Sequence, residues 1–252
     1  MKIVVIGGTG LIGSKVVAQL TQQGHEAVAA APSTGVDTIT GQGLGEAFAG
    51  AHVVIDVSNS PSFEEQAAMD FFQTAGRNIT NAEVEAGVAH HVALSVVGTD
   101  RLQDSGYFRA KQSQEQQIRS SPIPYTLVHA TQFFEFIRSI PAFSTVDGVV
   151  RLPPVKFQPM AGEDVAEAVV AAALGEPQNG LIEVGGPDIF TLDQAIRLVL
   201  AHDKDPRPVV TDPKAPYFGV QVSERSLIPA DDARRGKTRF DWWLANVPPP
   251  RK

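Results

Sequence analysis

Gly7-Gly8-Thr9-Gly10-Leu11-Ile12-Gly13 is the stretch whose reading decides the fold. Before it stands Lys2-Ile3-Val4-Val5-Ile6, an apolar, β-branched run of the kind buried in parallel sheets. After it, Leu11, Ile12, Val16, Val17 and Leu20 recur at helical spacing as far as Gln23. Strand, glycine turn and helix together form an anion site. Gly7 permits the tight turn, Gly10 lets a pyrophosphate approach the backbone, and Gly13 lets the helix pack on the strand. The helix N-terminus then offers free N–H groups and a positive dipole end. Nucleotide binding is the expected use of this stretch.

Strand and helix alternate outward from that point to about residue 130, the pattern of a doubly wound parallel sheet. His25–Ala30 is expected as the second strand, after Gly24 closes the first helix. In a dinucleotide fold an acidic residue at that strand's end holds the ribose 2′-hydroxyl. Here Ala30, Ala31 and Pro32 follow instead, then Ser33 and Thr34, whose hydroxyls can donate to a phosphate. NADP is favoured on that ground, with NAD the alternative and an ordinary turn the structural one. Asp37 lies too far along to be the ribose ligand and is assigned to the loop. Val53–Val57 is a further strand. Val57, Ser58, Asn59 and Ser60 end it where an open sheet holds its ligand. Phe63–Ala75 and Asn81–Ala86 supply helix, expected as one long element with a polar break near Arg77-Asn78. His90-His91 introduces the strand Val92–Ser95. Neighbours on a strand point to opposite faces, so the pair reads as a polar strand entrance and not as a metal site; no metal is expected.

Composition limits the function classes. The 252 residues suffice for one sizeable α/β domain with a small appendage. The absence of cysteine excludes disulfides and thiol chemistry. A net charge of −7 speaks against an extended nucleic-acid surface or an anionic membrane partner. No apolar run is long enough to span a bilayer, and Met1–Ile6 is too short for a signal-peptide core. A soluble cytoplasmic protein with a small-molecule substrate is expected, as monomer or homodimer.

Three residues carry candidate chemistry. Tyr107 and Lys111 are four apart on an expected helix and share a face. Ser95 closes a strand at the sheet's carboxyl edge. A phenol ionises near pH ~10, and a nearby ammonium lowers that value. Such a phenol can protonate a carbonyl oxygen as hydride arrives, or take the alcohol proton in reverse. The lysine can donate to ribose hydroxyls, and the serine can orient the carbonyl. A helix-surface Tyr–Lys pair with no such role is the alternative.

Gly7-x-x-Gly10-x-x-Gly13, the Ser95/Tyr107/Lys111 set and Ile123-Pro124-Tyr125-Thr126-Leu127-Val128 together resemble the short-chain dehydrogenase/reductase superfamily. More narrowly they resemble its atypical, NmrA-like NAD(P)H-binding branch. The resemblance covers nearly the whole chain, including the Asp164-Val165-Ala166 helix. It implies a Rossmann domain over residues 1–150 and a mixed α/β segment over 151–252 that forms the substrate region. It implies catalytic roles for Ser95, Tyr107 and Lys111, and cofactor contacts at Thr9–Ile12, Ser58–Ser60, and His129, Ala130 and Thr131. The arginine that often binds the 2′-phosphate in this branch is missing after the second strand, and His129 stands where arginine is common after the later one. Many atypical members lack the tyrosine, and some are redox sensors.

Phe133, Phe134, Phe136, Ile137 and Phe143 follow the strand expected to flank the nicotinamide. By resemblance this cluster, Phe133 and Phe134 through Phe143, lines an apolar substrate cleft with Met160 and Phe157; simple core packing is the alternative. The expected function is an NADP-preferring oxidoreductase acting on a small apolar or aromatic ketone or quinone. A dinucleotide sensor working through a protein partner, and an epimerase or dehydratase retaining NAD, are the rivals. Thr191 is expected to cap Leu192–His202 without a capping box. The tail Pro248–Lys252 is expected to fray.

Overall fold

The computed structural model describes residues 1–248, so the tail beyond Pro248 lies outside the described residues. Five strands appear where the apolar runs stand: β1 (Lys2–Ile6), β2 (Glu26–Ala30), β3 (Val53–Asp56), β4 (His90–Val96) and β5 (Tyr125–Ala130). With β6 (Gly180–Gly185) and the short β7 (Arg234–Arg235) they form a seven-stranded sheet in the order β2-β1-β3-β4-β5-β6-β7. β1 pairs in parallel with β2 and β3, and β3 with β4. β3 is buried along its whole length, whereas β2 is an edge strand with Glu26 exposed.

The chain divides into two compact units, residues 1–129 with 165–182, and residues 130–164 with 183 onward. This differs from a division at residue 150: the chain leaves the first unit at the end of β5, returns through a helix, and leaves again within β6.

In the first unit α1 (Gly13–Gln22) buries Val16 and Leu20, one turn apart, against the sheet. Gly24 ends it with φ +81, its N–H bonded to Thr21 O and that of His25 to Leu20 O. This is a Schellman closure, which only glycine enters without strain. After the short α2 (Leu44–Phe48), α3 runs unbroken from Glu65 to Ala86. This is the single long element expected, and the polar pair Arg77-Asn78 does not interrupt it. Ala75, Ile79 and Ala82 continue the buried stripe past it, while the Asn78 amide donates to Thr38 O and Ile39 O at 2.9 Å each. α3 packs on α4 (Gly106–Ser120) so closely that a Cβ on Gly76 would lie 2.9 Å from the Gln117 amide. α5 (Gly162–Leu174) begins in the second unit and ends in the first.

The second unit holds a three-stranded sheet of Thr145–Val146, Val149–Leu152 and Val209–Thr211, and a two-stranded one of Lys156–Phe157 with Phe190–Thr191. α6 (Leu192–His202) does have a capping box: Gln194 stands three residues after Thr191, and its Oε1 accepts the Thr191 N–H at 3.2 Å. α7 (Phe240–Asn246) stacks Phe240 and Trp243 on Phe134, at 5.1 and 5.4 Å between centroids. Arg138 ties the unit's ends together, donating to Asp203 Oδ2 at 2.9 Å and to Val247 O at 3.1 Å. Among the described residues no helix is long and apolar enough to cross a membrane.

Candidate functional site

β1 lies between β2 and β3, so the chain's direction of travel across the sheet reverses there. In open α/β sheets the crevice at such a switch point, outside the carboxyl ends of the strands, holds the ligand. The glycine turn leaves β1 at that place. Gly7 has φ +75, and a Cβ there would lie 3.0 Å from the Ser58 backbone. A Cβ on Gly13 would lie 2.1 Å from Gly7 O. The turn and the head of α1 are thus pressed together, and only glycine fits. Thr9, Gly10 and Leu11 remain exposed, Leu11 by half. No side chain caps the helix N-terminus at Ile12. An exposed backbone loop on an uncapped helix start fits a dinucleotide's diphosphate, with Thr9, Gly10, Leu11 and Ile12 as the residues placed to hold it.

At the end of β2, Ala30 and Ala31 are buried and the turn Pro32–Thr34 follows. The Thr34 hydroxyl donates to Ala29 O at 2.9 Å and accepts the Ala31 N–H at 2.9 Å, so it closes its own turn. Ser33 is exposed beside it. Asp37 Oδ1 accepts the Ile39 N–H at 2.7 Å, a loop-closing role.

The loop after β3 joins the glycine turn to α4. Asp56 Oδ1 accepts from Ser58 N at 2.9 Å and Ser58 Oγ at 2.6 Å. Asp56 Oδ2 accepts from the Gln114 amide at 2.8 Å, and Gln114 Oε1 accepts from Lys111 Nζ. Lys111 Nζ also donates to Leu94 O at 3.0 Å and lies 4.6 Å from the centre of the Phe72 ring. The next loop residue, Asn59, takes the Tyr107 hydroxyl: Tyr107 donates to Asn59 Oδ1 at 2.9 Å. Ser60 is buried and accepts the Ser62 N–H.

Tyr107 and Lys111 thus leave the same helix face for different partners. The expected lowering of the phenol is reversed. Burial pushes Tyr107 up to about 12, against the opposing Asn59 hydrogen bond. Its ring sits among Phe63, Phe72 and Phe108, with centroids 5.3–6.3 Å away. Burial also pushes Lys111 down to about 8, with the charges of Asp56 and Glu115 acting the other way.

Ser95 meets neither of them in a hydrogen bond. Its hydroxyl donates to Glu115 Oε1 at 2.5 Å, and Thr99 Oγ1 is 3.4 Å away. His129 Nε2 lies 2.9 Å from the same carboxylate oxygen. Burial works against the Glu115 charge, but the contacts with His129 and Ser95 and the Lys111 charge outweigh it. They hold the carboxyl below its ordinary range. The sequence did contain a signal for Gln114 and Glu115: they follow Tyr107 and Lys111 at helical spacing, on the same buried face.

His90 and His91 open β4 as polar residues, and both are buried. His90 Nε2 pairs with Thr126 Oγ1 at 2.9 Å, and His91 Nδ1 with Glu83 Oε1 at 2.5 Å. Among the described residues no group of three or more His, Asp or Glu side chains is placed to hold a metal ion.

The second unit contains the remaining candidates. Ala130 ends β5 and Thr131 follows it, both buried, the Thr131 N–H donating to Val184 O at 3.1 Å. Phe134 and Phe157 are fully buried and Met160 nearly so. Their side chains pack as core residues. Phe134 packs on α7. Phe133, half-buried, bridges to Met160.

The sequence matches the NmrA-like family over residues 1–198. No curated protein matches it significantly. Among solved structures, the chain is similar to the UDP-glucose 4-epimerase of Thermus thermophilus in complex with NAD, at 18% identity, covering 99% of this chain and 94% of that one with a TM-score of 0.68. A short-chain dehydrogenase/reductase superfamily protein from Agrobacterium tumefaciens with bound NAD gives 15% identity, 97% and 95% coverage, and a TM-score of 0.71. A dTDP-4-dehydrorhamnose reductase from Clostridium acetobutylicum gives 15%, 94% and 95%, and 0.70.

Proposed function

Since this chain belongs to the NmrA-like family and has the NAD(P)-binding fold of the short-chain dehydrogenase/reductase superfamily, we propose that it is an NADP-preferring reductase of small apolar or aromatic ketones or quinones. The observation that carries this reading is the hydrogen bond from Tyr107 to Asn59. It puts a phenol on the loop whose first polar residue, Ser58, abuts Gly7. The reduced dinucleotide, when bound, supplies the hydride. Tyr107 gives its proton to the carbonyl oxygen as negative charge builds there, and takes one back from solvent afterwards. A phenol held near 12 is protonated at neutral pH, so it stands ready to act as the donor. Lys111 acts at one remove, fixing Gln114 and through it Asp56 and the Ser58 loop. Ser95, its proton committed to Glu115, offers only lone pairs. NADP is preferred because no carboxylate stands at the end of β2 to repel a 2′-phosphate, and Ser33 is exposed there.

Titration with NADPH and NADH, followed by a panel of ketones and quinones, tests the reading. Tyr107→Phe should cost about 10²-fold or more in turnover with the NADPH Kd unchanged. Equal turnover removes Tyr107 from the mechanism, and tighter NADH binding overturns the NADP assignment. The engagement of the Lys111 amine by Leu94 O and Gln114 favours a second reading, a dinucleotide sensor without turnover. NADPH bound and left unconsumed across the panel would select it.

A further inference from the structure

The turn Tyr217-Phe218-Gly219-Val220 in the second unit places an aromatic residue where the backbone resists one. Tyr217 and Val220 exchange both backbone hydrogen bonds, at 2.8 and 3.1 Å, and the two residues between them have φ +48 and +83. Positive φ at both central positions is the signature of a type I′ turn, which selects Gly, Asn or Asp. A bulky residue at the first position is a strained exception, and such exceptions collect at functional sites. The ring held there continues a stack. Phe218 lies 5.5 Å from Phe136 at 29° and 5.1 Å from Phe143, and Tyr217 stands edge-on to it at 4.8 Å. Phe143 is 63% exposed and Phe218 39%, so the stack opens to solvent. The Tyr217 ring is 4% exposed, yet its hydroxyl has no hydrogen-bond partner among the described residues. Burial, the one force acting on that phenol, keeps it protonated and a donor. The hydroxyl is not one of the fully buried polar atoms left without a partner, so it keeps access to solvent and to a ligand.

We propose that Phe136, Phe143, Phe218 and Tyr217 form a recognition site for a planar aromatic carbonyl compound, its ring lying on the phenylalanine stack and its oxygen accepting the Tyr217 hydrogen bond. The carbonyl rests on the reductase reading; the ring site rests on this unit's own geometry. A recessed lone donor beside exposed ring faces suits a small flat molecule with one acceptor better than a protein surface. Phe136 and Phe143 belong to the aromatic cluster expected to line a substrate cleft; Tyr217 and Phe218 join them from much later in the chain.

Calorimetry without dinucleotide tests this with three probes: 2-acetylnaphthalene, 2-ethylnaphthalene and cyclohexyl methyl ketone. The first should bind best and the third not measurably. Phe218→Gly suits a positive φ, so it should keep or raise the melting temperature while weakening 2-acetylnaphthalene about tenfold. Phe143→Ser, at an exposed position, should weaken it similarly. Tyr217→Phe should weaken the ketone about fivefold and leave 2-ethylnaphthalene unchanged. Cyclohexyl methyl ketone binding as well as 2-acetylnaphthalene, or undiminished binding in Phe218→Gly and Phe143→Ser, overturns the proposal. So does a dimer in sedimentation that Phe143→Ser dissolves, since the stack would then bind a second copy. NADPH turnover in the same samples separates the two readings. Turnover unaffected by these variants refutes the ring site alone, and ring binding without turnover refutes the reductase.

Discussion

In the first unit the head of α1 is pressed onto the turn by glycines of one heptapeptide, whereas the second unit is fastened by contacts between distant parts of the chain. Gly13 is held against Gly7, six positions back. Arg138 reaches Asp203, 65 residues on, and Val247, 109 on, and Asp164 holds Thr238, 74 on. A local constraint is a matter of sterics between near neighbours and can be read from residue type. A distant one depends on how the chain has already folded. The same contrast sets the size of what single substitutions should do.

Gly13→Ala is expected to have the largest effect. The added Cβ would lie 2.1 Å from Gly7 O and 2.7 Å from Gly8 Cα, backbone atoms that cannot step aside. The cost should be at least about 3 kcal/mol, with the turn forced open and NADPH affinity lost by more than about 100-fold. Gly45→Ala, in α2 and away from the turn, is the control, because its Cβ would meet nothing within 4 Å. Fluorescence titration with NADPH checks both. If Gly13→Ala binds as the parent does, the turn is not rigid and the contrast between the units fails.

Asp164→Ala tests the other side. Its carboxylate accepts from Thr238 N at 2.8 Å and Thr238 Oγ1 at 3.0 Å, and it is buried. Losing both should cost about 2 kcal/mol. Both tryptophans, Trp242 and Trp243, lie in α7 of the second unit, so tryptophan fluorescence during urea unfolding reports that unit. The transition should move to lower urea while NADPH still binds. Loss of NADPH binding as complete as in Gly13→Ala would mean that the distant tether governs the turn as well.

The legibility of the sequence follows the same division. β1, the turn, α1 and the strands to β5 were readable because β-branched runs and helical spacing are local signals. Tyr107 was placed on the right helix, but spacing tells which residues share a face and not how deeply that face sinks. Lys111 is 2% exposed, and that depth sends its amine to Leu94 O and Gln114 and leaves the phenol raised. Glu115 was visible as a carboxylate one turn from Lys111; its partners, Ser95 and His129, come from two other strands. Gln194 stood in plain view as the second half of a capping box. The phenylalanines after β5 marked an aromatic region, yet the partner that sorts Phe136 and Phe143 from Phe134 is Phe218, far later in the chain.

The smallest expected effect comes from two neighbours that local reading treated alike. His90 is buried beside Thr126, and burial, with the charges of His91 and His52, lowers it from 6.5 to about 4. For His91 burial also opposes the charge, but Glu83 outweighs it and raises the pKa above 6.5. A group lowered on folding contributes stability that is present above 6.5 and lost as pH falls toward 4. A group raised on folding contributes stability that is present below 6.5 and lost as pH rises through the higher folded value. The two slopes face each other across pH 6.5, each no steeper than about 1.4 kcal/mol per pH unit. Urea midpoints measured from pH 5 to 8 should peak near the middle. His90→Gln should flatten the acid side only, and Glu83→Gln should flatten the alkaline side and, with burial of His91 no longer outweighed, steepen the acid one. If either substitution flattens both limbs, the adjacent imidazoles titrate as one coupled unit, and a purely local pairing on β4 shapes this region after all.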